Sequence, residues 1–111
     1  MESAQGDHAC AQVLYDESLA LARDIGDQEL IASGLTGLAR VVAIQGEPAW
    51  AVRLWGSAEA LREAIGAPLP PIERAAYDQA VAAVHDSLGE RAFVAAWAQG
   101  RLMTAEQVLT P

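Results

Sequence analysis

Lysine is missing altogether from this chain of 111 residues, whose cations are seven scattered arginines set against fifteen acidic side chains. A formal charge of −8 and a pI near 4.5 weigh against nucleic acid as a direct partner, because binding along a phosphate backbone needs clustered cations that displace counterions. Cysteine occurs once, at Cys10, so no intramolecular disulfide can form and a reducing, cytoplasmic setting is expected. No apolar run approaches the ~20 residues that cross a bilayer, and the opening MESAQGDHACAQ lacks the basic flank and apolar stretch of a signal peptide. No membrane partner is expected. Aromatic residues are also scarce, at 5%, although 52% of the chain is hydrophobic. Much of that fraction is alanine, the best helix former, which points to an all-α fold.

What the chain does have is regular punctuation. Gly26, Gly46, Gly66, Gly89 and Gly100 each follow an apolar-periodic segment, where a left-handed C-terminal cap favours glycine. Asp27, Pro48, Pro71 and the Thr104/Gln107 capping-box pair mark helix starts. Helices are therefore predicted near 5–25, 28–45, 48–65, 71–88 and 90–99, with a short one near 104–109. Apolar faces are expected at Leu14, Ser18, Leu21 and Ile25; at Leu35, Leu38 and Val42; at Trp50, Leu54, Trp55, Ala58, Leu61 and Ile65; and at Tyr77, Val81, Val84 and Leu88.

The twenty-residue spacing of Gly26, Gly46 and Gly66 suggests helix pairs repeating at about forty residues. At that period Ala11, Tyr15 and Ser18 fall over Ala51, Trp55 and Ala58, a small-large-small trio on one helical face. Gly34, Gly37 and Gly56 lie inside predicted helices, where each costs roughly 1 kcal/mol in propensity, and are expected at close helix crossings. The segment GAPLPP, residues 66–71, is too short and stiff for a flexible linker. It reads as a rigid corner in which Gly66 ends one helix, Leu69 staples onto apolar surface and Pro71 starts the next.

Reactive chemistry is thinly supplied. His8 and Cys10 are two residues apart near the start of the chain, a poor spacing for zinc. Glu59 and Glu63 share a helical face, but with Arg62 beside them they read as solvated surface and not as a carboxylate pair. Ser18, Ser57 and Ser87 have no histidine placed to activate them. Trp50, Trp55 and Trp97 read as core, with Trp55 as keystone. No catalytic residue, cofactor or metal is expected, and the chain is not expected to be an enzyme.

Residues 35–58, LTGLARVVAIQGEPAWAVRLWGSA, resemble a tetratricopeptide repeat. Leu35, Leu38, Ala39 and Val42 match its first helix, Gly46 its turn, and Ala51, Trp55 and Ala58 its second helix. Ala39 and Val42 stand where glycine and tyrosine are commoner, and the repeat is extended because Gly66 and Pro68 come later than the motif's closing proline. The wider stretch from LYDESLALARDIGD through LWGSAEALREAIGAPLPPIERAAYDQAV to FVAAWAQGRLMTAEQVL is similar to C-terminal regions of large bacterial signalling ATPases, including LuxR-class transcriptional regulators and cyclase-linked ATPases.

That resemblance implies tetratricopeptide-like, stacked antiparallel helix pairs: about five helices plus a short C-terminal one, in a single domain over residues 1–111. Residues 1–26 would be a half-repeat helix, 27–66 a full repeat and 71–111 a C-terminal helical cap. It also implies a non-catalytic scaffold for protein–protein interaction or intramolecular regulation, whose partner is another protein or other domains of a parent regulator. Its concave face would present Ser33, Thr36, Arg40 and Ala43. The first helix lacks its pair, so its bare flank is a candidate contact for a second copy. A small-molecule sensor of such a regulator is the alternative function.

Overall fold

The computed structural model describes the backbone of residues 4–109 and the side chains of residues 10–109. Six helices follow one another, α1 (Ala4–Ile25), α2 (Gln28–Ile44), α3 (Pro48–Ile65), α4 (Pro71–Leu88), α5 (Glu90–Arg101) and α6 (Ala105–Val108), and the described residues contain no strand. The fold is all-α. His8, weighed above with Cys10 as a zinc ligand, lies outside the described side chains.

The punctuation acts much as its chemistry requires. Asp27 caps α2 by accepting a hydrogen bond from the Leu30 amide. Thr104 and Gln107 bond reciprocally across the first turn of α6. Gly66 adopts a left-handed conformation at φ +69° and ends α3, with the Ala67 amide closing onto the Arg62 carbonyl. Leu69 is buried between its flanking prolines, and Pro71 opens α4. Gly100 departs from expectation: α5 runs through it to Arg101, and its backbone is not left-handed. This glycine serves a crossing instead. A Cβ at Gly100 would strike the Arg53 backbone, and one at Gly56 would come within 2.5 Å of the Trp97 carbonyl oxygen. Only two facing glycines let α3 and α5 lie so close.

Packing is centred on α3, with α2 along one flank, α5 along another and α1 outside α2. The two-residue link at Gly26 and Asp27 makes α1 and α2 an antiparallel pair. One continuous core joins Leu19 and Ala22 of α1, Leu35, Leu38 and Val42 of α2, Trp50, Leu54 and Trp55 of α3, Val84 of α4, Ala96 of α5 and Val108 of α6. Trp50 donates its indole N–H to the Val108 carbonyl at 2.7 Å and so ties the last helix to the third.

The buried face of α1 is not the expected one. Leu14, Leu21 and Ile25 are 63%, 62% and 66% exposed and Ser18 is exposed, whereas Leu19 and Ala22 are buried and Tyr15 half-buried. The reason lies in α2. Gly34 and Gly37 leave hollows that accept the Leu19 and Tyr15 side chains, since a Cβ at Gly34 would sit 2.7 Å from a Leu19 methyl and one at Gly37 would overlap the Tyr15 ring. The hollows select the stripe Tyr15–Leu19–Ala22, at i, i+4 and i+7, over its more hydrophobic neighbour. The forty-residue alignment consequently holds at the aromatics but not at its ends. Ala51, Trp55 and Ala58 are buried, while Ala11 is half-buried and Ser18 faces outward.

Candidate functional site

The helix that follows the proline corner does not close against α2. It rests lightly on α3 and α5, and two adjoining cavities of about 340 and 480 Å³ open between α2 and α4. They meet where Arg40 of α2 faces Ala76 and Ala80 of α4, forming one groove floored by α3. Ser33, Thr36, Arg40 and Ala43 recur at intervals of three and four and therefore share one face of α2. The first three line the smaller cavity, and Arg40 and Ala43 line the larger. Ser33 and Arg40 are exposed; Thr36 and Ala43 are half-buried.

The floor holds the groove's most constrained charge. Arg62 is only 6% exposed. Its Nη2 donates to the Thr36 hydroxyl and, at 3.4 Å, to the Ala32 carbonyl. Thr36 in turn donates to that same carbonyl at 2.9 Å. The other terminal nitrogen, Nη1, is enclosed and has no hydrogen-bond partner among the described residues; its nearest carboxylate oxygen, Glu59 Oε1, stands at 3.5 Å. Glu59 accepts a hydrogen bond from the Tyr77 hydroxyl at 3.3 Å. Tyr77 meets Trp55 edge to face, with ring centroids 6.2 Å apart, and the Arg74 guanidinium lies 5.9 Å from its ring. Burial, reinforced by the Glu59 carboxylate, pushes the Tyr77 phenol well above its ordinary value.

Glu59 and Glu63 thus do not form the solvated stripe expected of them. Glu59 is half-buried beside Arg62 and Tyr77. Glu63 does face solvent, where a two-pronged pair with Arg101 at 2.7 and 3.0 Å holds its carboxyl below the usual range. Arg62 escaped the sequence reading as a site residue although a signal existed. It follows Trp55 and Ala58 at i+7 and i+4, in register with the buried face of α3, so an arginine there had to be enclosed and partnered.

The remaining candidates are spread elsewhere. Ser57 donates to the Met103 carbonyl at 3.1 Å and fastens the turn before α6. Ser18 is exposed on α1, and Ser87 lines the far end of the larger cavity. His85 stacks on Phe93 at 4.3 Å and pairs with Glu90 at 2.7 Å, and Phe93 stacks in turn on Trp97. Trp50 and Trp55 are buried; Trp97 is half-buried on α5. Cys10 is exposed. Among the described residues no three His, Cys, Asp or Glu side chains converge as metal ligands would, and no helix is long and apolar enough to cross a membrane. No protein-family model, curated protein or solved structure matches this chain.

Proposed function

We propose that this chain is a non-catalytic, tetratricopeptide-like scaffold whose groove between α2 and α4 holds a protein partner or a neighbouring domain, in a cytoplasmic bacterial signalling or transcription regulator. The observation that carries it is the open face of α2: Ser33, Thr36, Arg40 and Ala43 line a groove that α4 leaves uncovered. A concave surface of this kind suits a peptide segment, which gains affinity from apolar contacts along the walls and specificity from a few polar groups. The parent-regulator setting rests on the resemblance of residues 35–58 and the flanking helices, and the non-catalytic character on the engagement of Ser57 and His85 in structural contacts.

The test is retention of a partner by the double variant Arg40→Glu, Ala43→Glu, measured by quantitative pull-down against the unaltered chain. Both side chains lie at least partly in solvent, so the fold should survive, as circular dichroism would check. Loss of about tenfold or more in retention is expected if these positions touch the partner. Equal retention would exclude this face.

A further inference from the structure

The core of this fold leaves the more hydrophobic stripe of α1 in solvent. Leu14, Leu21 and Ile25 recur at i, i+7 and i+11 with the small Ser18 between them, and all four side chains are exposed. Alternating steps of four and three residues are the spacing of a coiled-coil seam, along which one helix lies against another over several turns. The seam runs for eleven residues from Leu14 to Ile25, which is about 16 Å or three turns of helix. An extended strand, whose side chains repeat every two residues, would not match that spacing.

The charges beside the seam limit what can cover it. One flank turns into the core at Tyr15 and Ala22. The other flank is open and acidic. Glu17 lies three residues after Leu14 and four before Leu21, and Asp24 lies three after Leu21, so both carboxylates border the seam. Both are exposed, and neither has an ion pair among the described residues. The one arginine of α1, Arg23, is spent on Glu106 of α6 at 3.7 Å. A second copy of the chain therefore fits poorly. Laid antiparallel with Leu14 over Ile25, it would set Glu17 of each copy beside Asp24 of the other, and in any orientation it would bring −8 against −8. An anionic membrane surface is repelled by the same charges. A helix whose own apolar seam is bordered by arginine or lysine supplies both the cover and the missing counter-charge.

We infer that the outer face of α1 is a second docking surface and that its occupant is a basic amphipathic helix of a partner protein. Leucine or isoleucine side chains of that helix lie against Leu14, Leu21 and Ile25, and its cations run along Glu17 and Asp24. The surface is separate from the groove between α2 and α4, and none of these α1 residues lines either cavity there.

The probe is a synthetic peptide of about 20 residues, long enough to take up helix. It carries leucine at the two seam positions of each heptad, arginine at the bordering positions and alanine or glutamine elsewhere; its arginines repel one another and keep it from pairing with itself. A twin carries glutamate in place of arginine. By fluorescence anisotropy against the full chain at physiological salt, the arginine peptide should bind at least about tenfold more tightly than its twin. Leu21→Gln, an exposed change, should weaken the arginine peptide about tenfold. Glu17→Arg with Asp24→Arg should reverse the preference between the two peptides. Arg40→Glu with Ala43→Glu, which alters the groove, should leave binding within about twofold. Binding indifferent to Leu21→Gln would reduce the effect to the chain's overall charge and overturn the docking surface. A preference that survives the reversal of Glu17 and Asp24 would overturn the basic partner, and loss of binding in the groove variant would place the peptide in the groove. A chain that sediments as a dimer, but as a monomer after Leu21→Gln, would assign this face to a second copy instead.

Discussion

Two of the helices that follow α3 pack against it in opposite ways. The helix next in sequence, α4, is rich in alanine, yet Val84 is its only buried side chain. The shorter α5 crosses α3 at backbone distance through Gly56 and Gly100. Small side chains therefore do not create a close contact by themselves; both helices must be small at the same point. Where α4 faces α3, the bulky Trp55 and Tyr77 meet edge to face and hold the helices apart. The proline corner fixes the direction in which α4 leaves α3, and Leu69 anchors it. One side of α3 is thus a sealed crossing and the other an open seam, and the groove exists because of the second.

The largest expected effect comes from removing the residue that belongs to both sides. Trp55 is 1% exposed, packs in the core and also lines the larger cavity. Trp55→Ala should destabilise the chain by about 3–5 kcal/mol, read from the urea midpoint at constant slope. A loss below about 1 kcal/mol would mean that α4 collapses into the vacated space, and the seam would then be adaptable instead of propped open.

A smaller effect sharpens the contrast between rigid and yielding contacts. At Gly100 an added methyl meets the Arg53 backbone, which cannot move without shifting α3; at Gly37 it meets the outer atoms of the Tyr15 ring, which can swing toward solvent. Gly100→Ala should therefore cost about 1–3 kcal/mol. Gly37→Ala should cost less, because the Tyr15 ring can give way where the Arg53 backbone cannot; the helix propensity that an added methyl recovers, roughly 1 kcal/mol at most, favours both variants. Thermal unfolding of the two variants side by side tests the order, and a reversal would show that α1 is held to α2 more stiffly than α5 to α3.

The helix layout was legible in the sequence because it depends on local chemistry: Asp27, Thr104 with Gln107, Pro71 and the left-handed glycines act on their own neighbours. The facing of α1 was not, since the choice between Leu14–Leu21–Ile25 and Tyr15–Leu19–Ala22 is made by hollows on another helix. Gly100 was misassigned for the same reason: a glycine near a helix end and a glycine at a crossing look alike until the opposing helix is in place. The candidate site shows the same division. Periodicity put Ser33, Thr36, Arg40 and Ala43 on one face, but the pocket needs Arg62 and the stand-off of α4, both consequences of long-range packing.

The seam itself offers the subtlest measurement. Tyr77 is the polar tie between α4 and α3, and burial keeps its phenol neutral above the ordinary value of 10.0. Above about pH 10 the unfolded chain gives up this proton while the folded chain keeps it. Fewer protons are then bound in the unfolded state, so stability falls as pH rises, by at most about 1.4 kcal/mol per pH unit for one group; below about pH 10 the contribution is intact. Lysine would ordinarily obscure this range, and the chain has none. Tyr77→Phe should accordingly flatten the decline in urea midpoint between about pH 9 and 11 relative to the unaltered chain, in which Tyr15 is equally present. Parallel curves for the two proteins would mean that water reaches the Tyr77 hydroxyl in the folded state, and that the seam opens more widely than the contact with Glu59 implies.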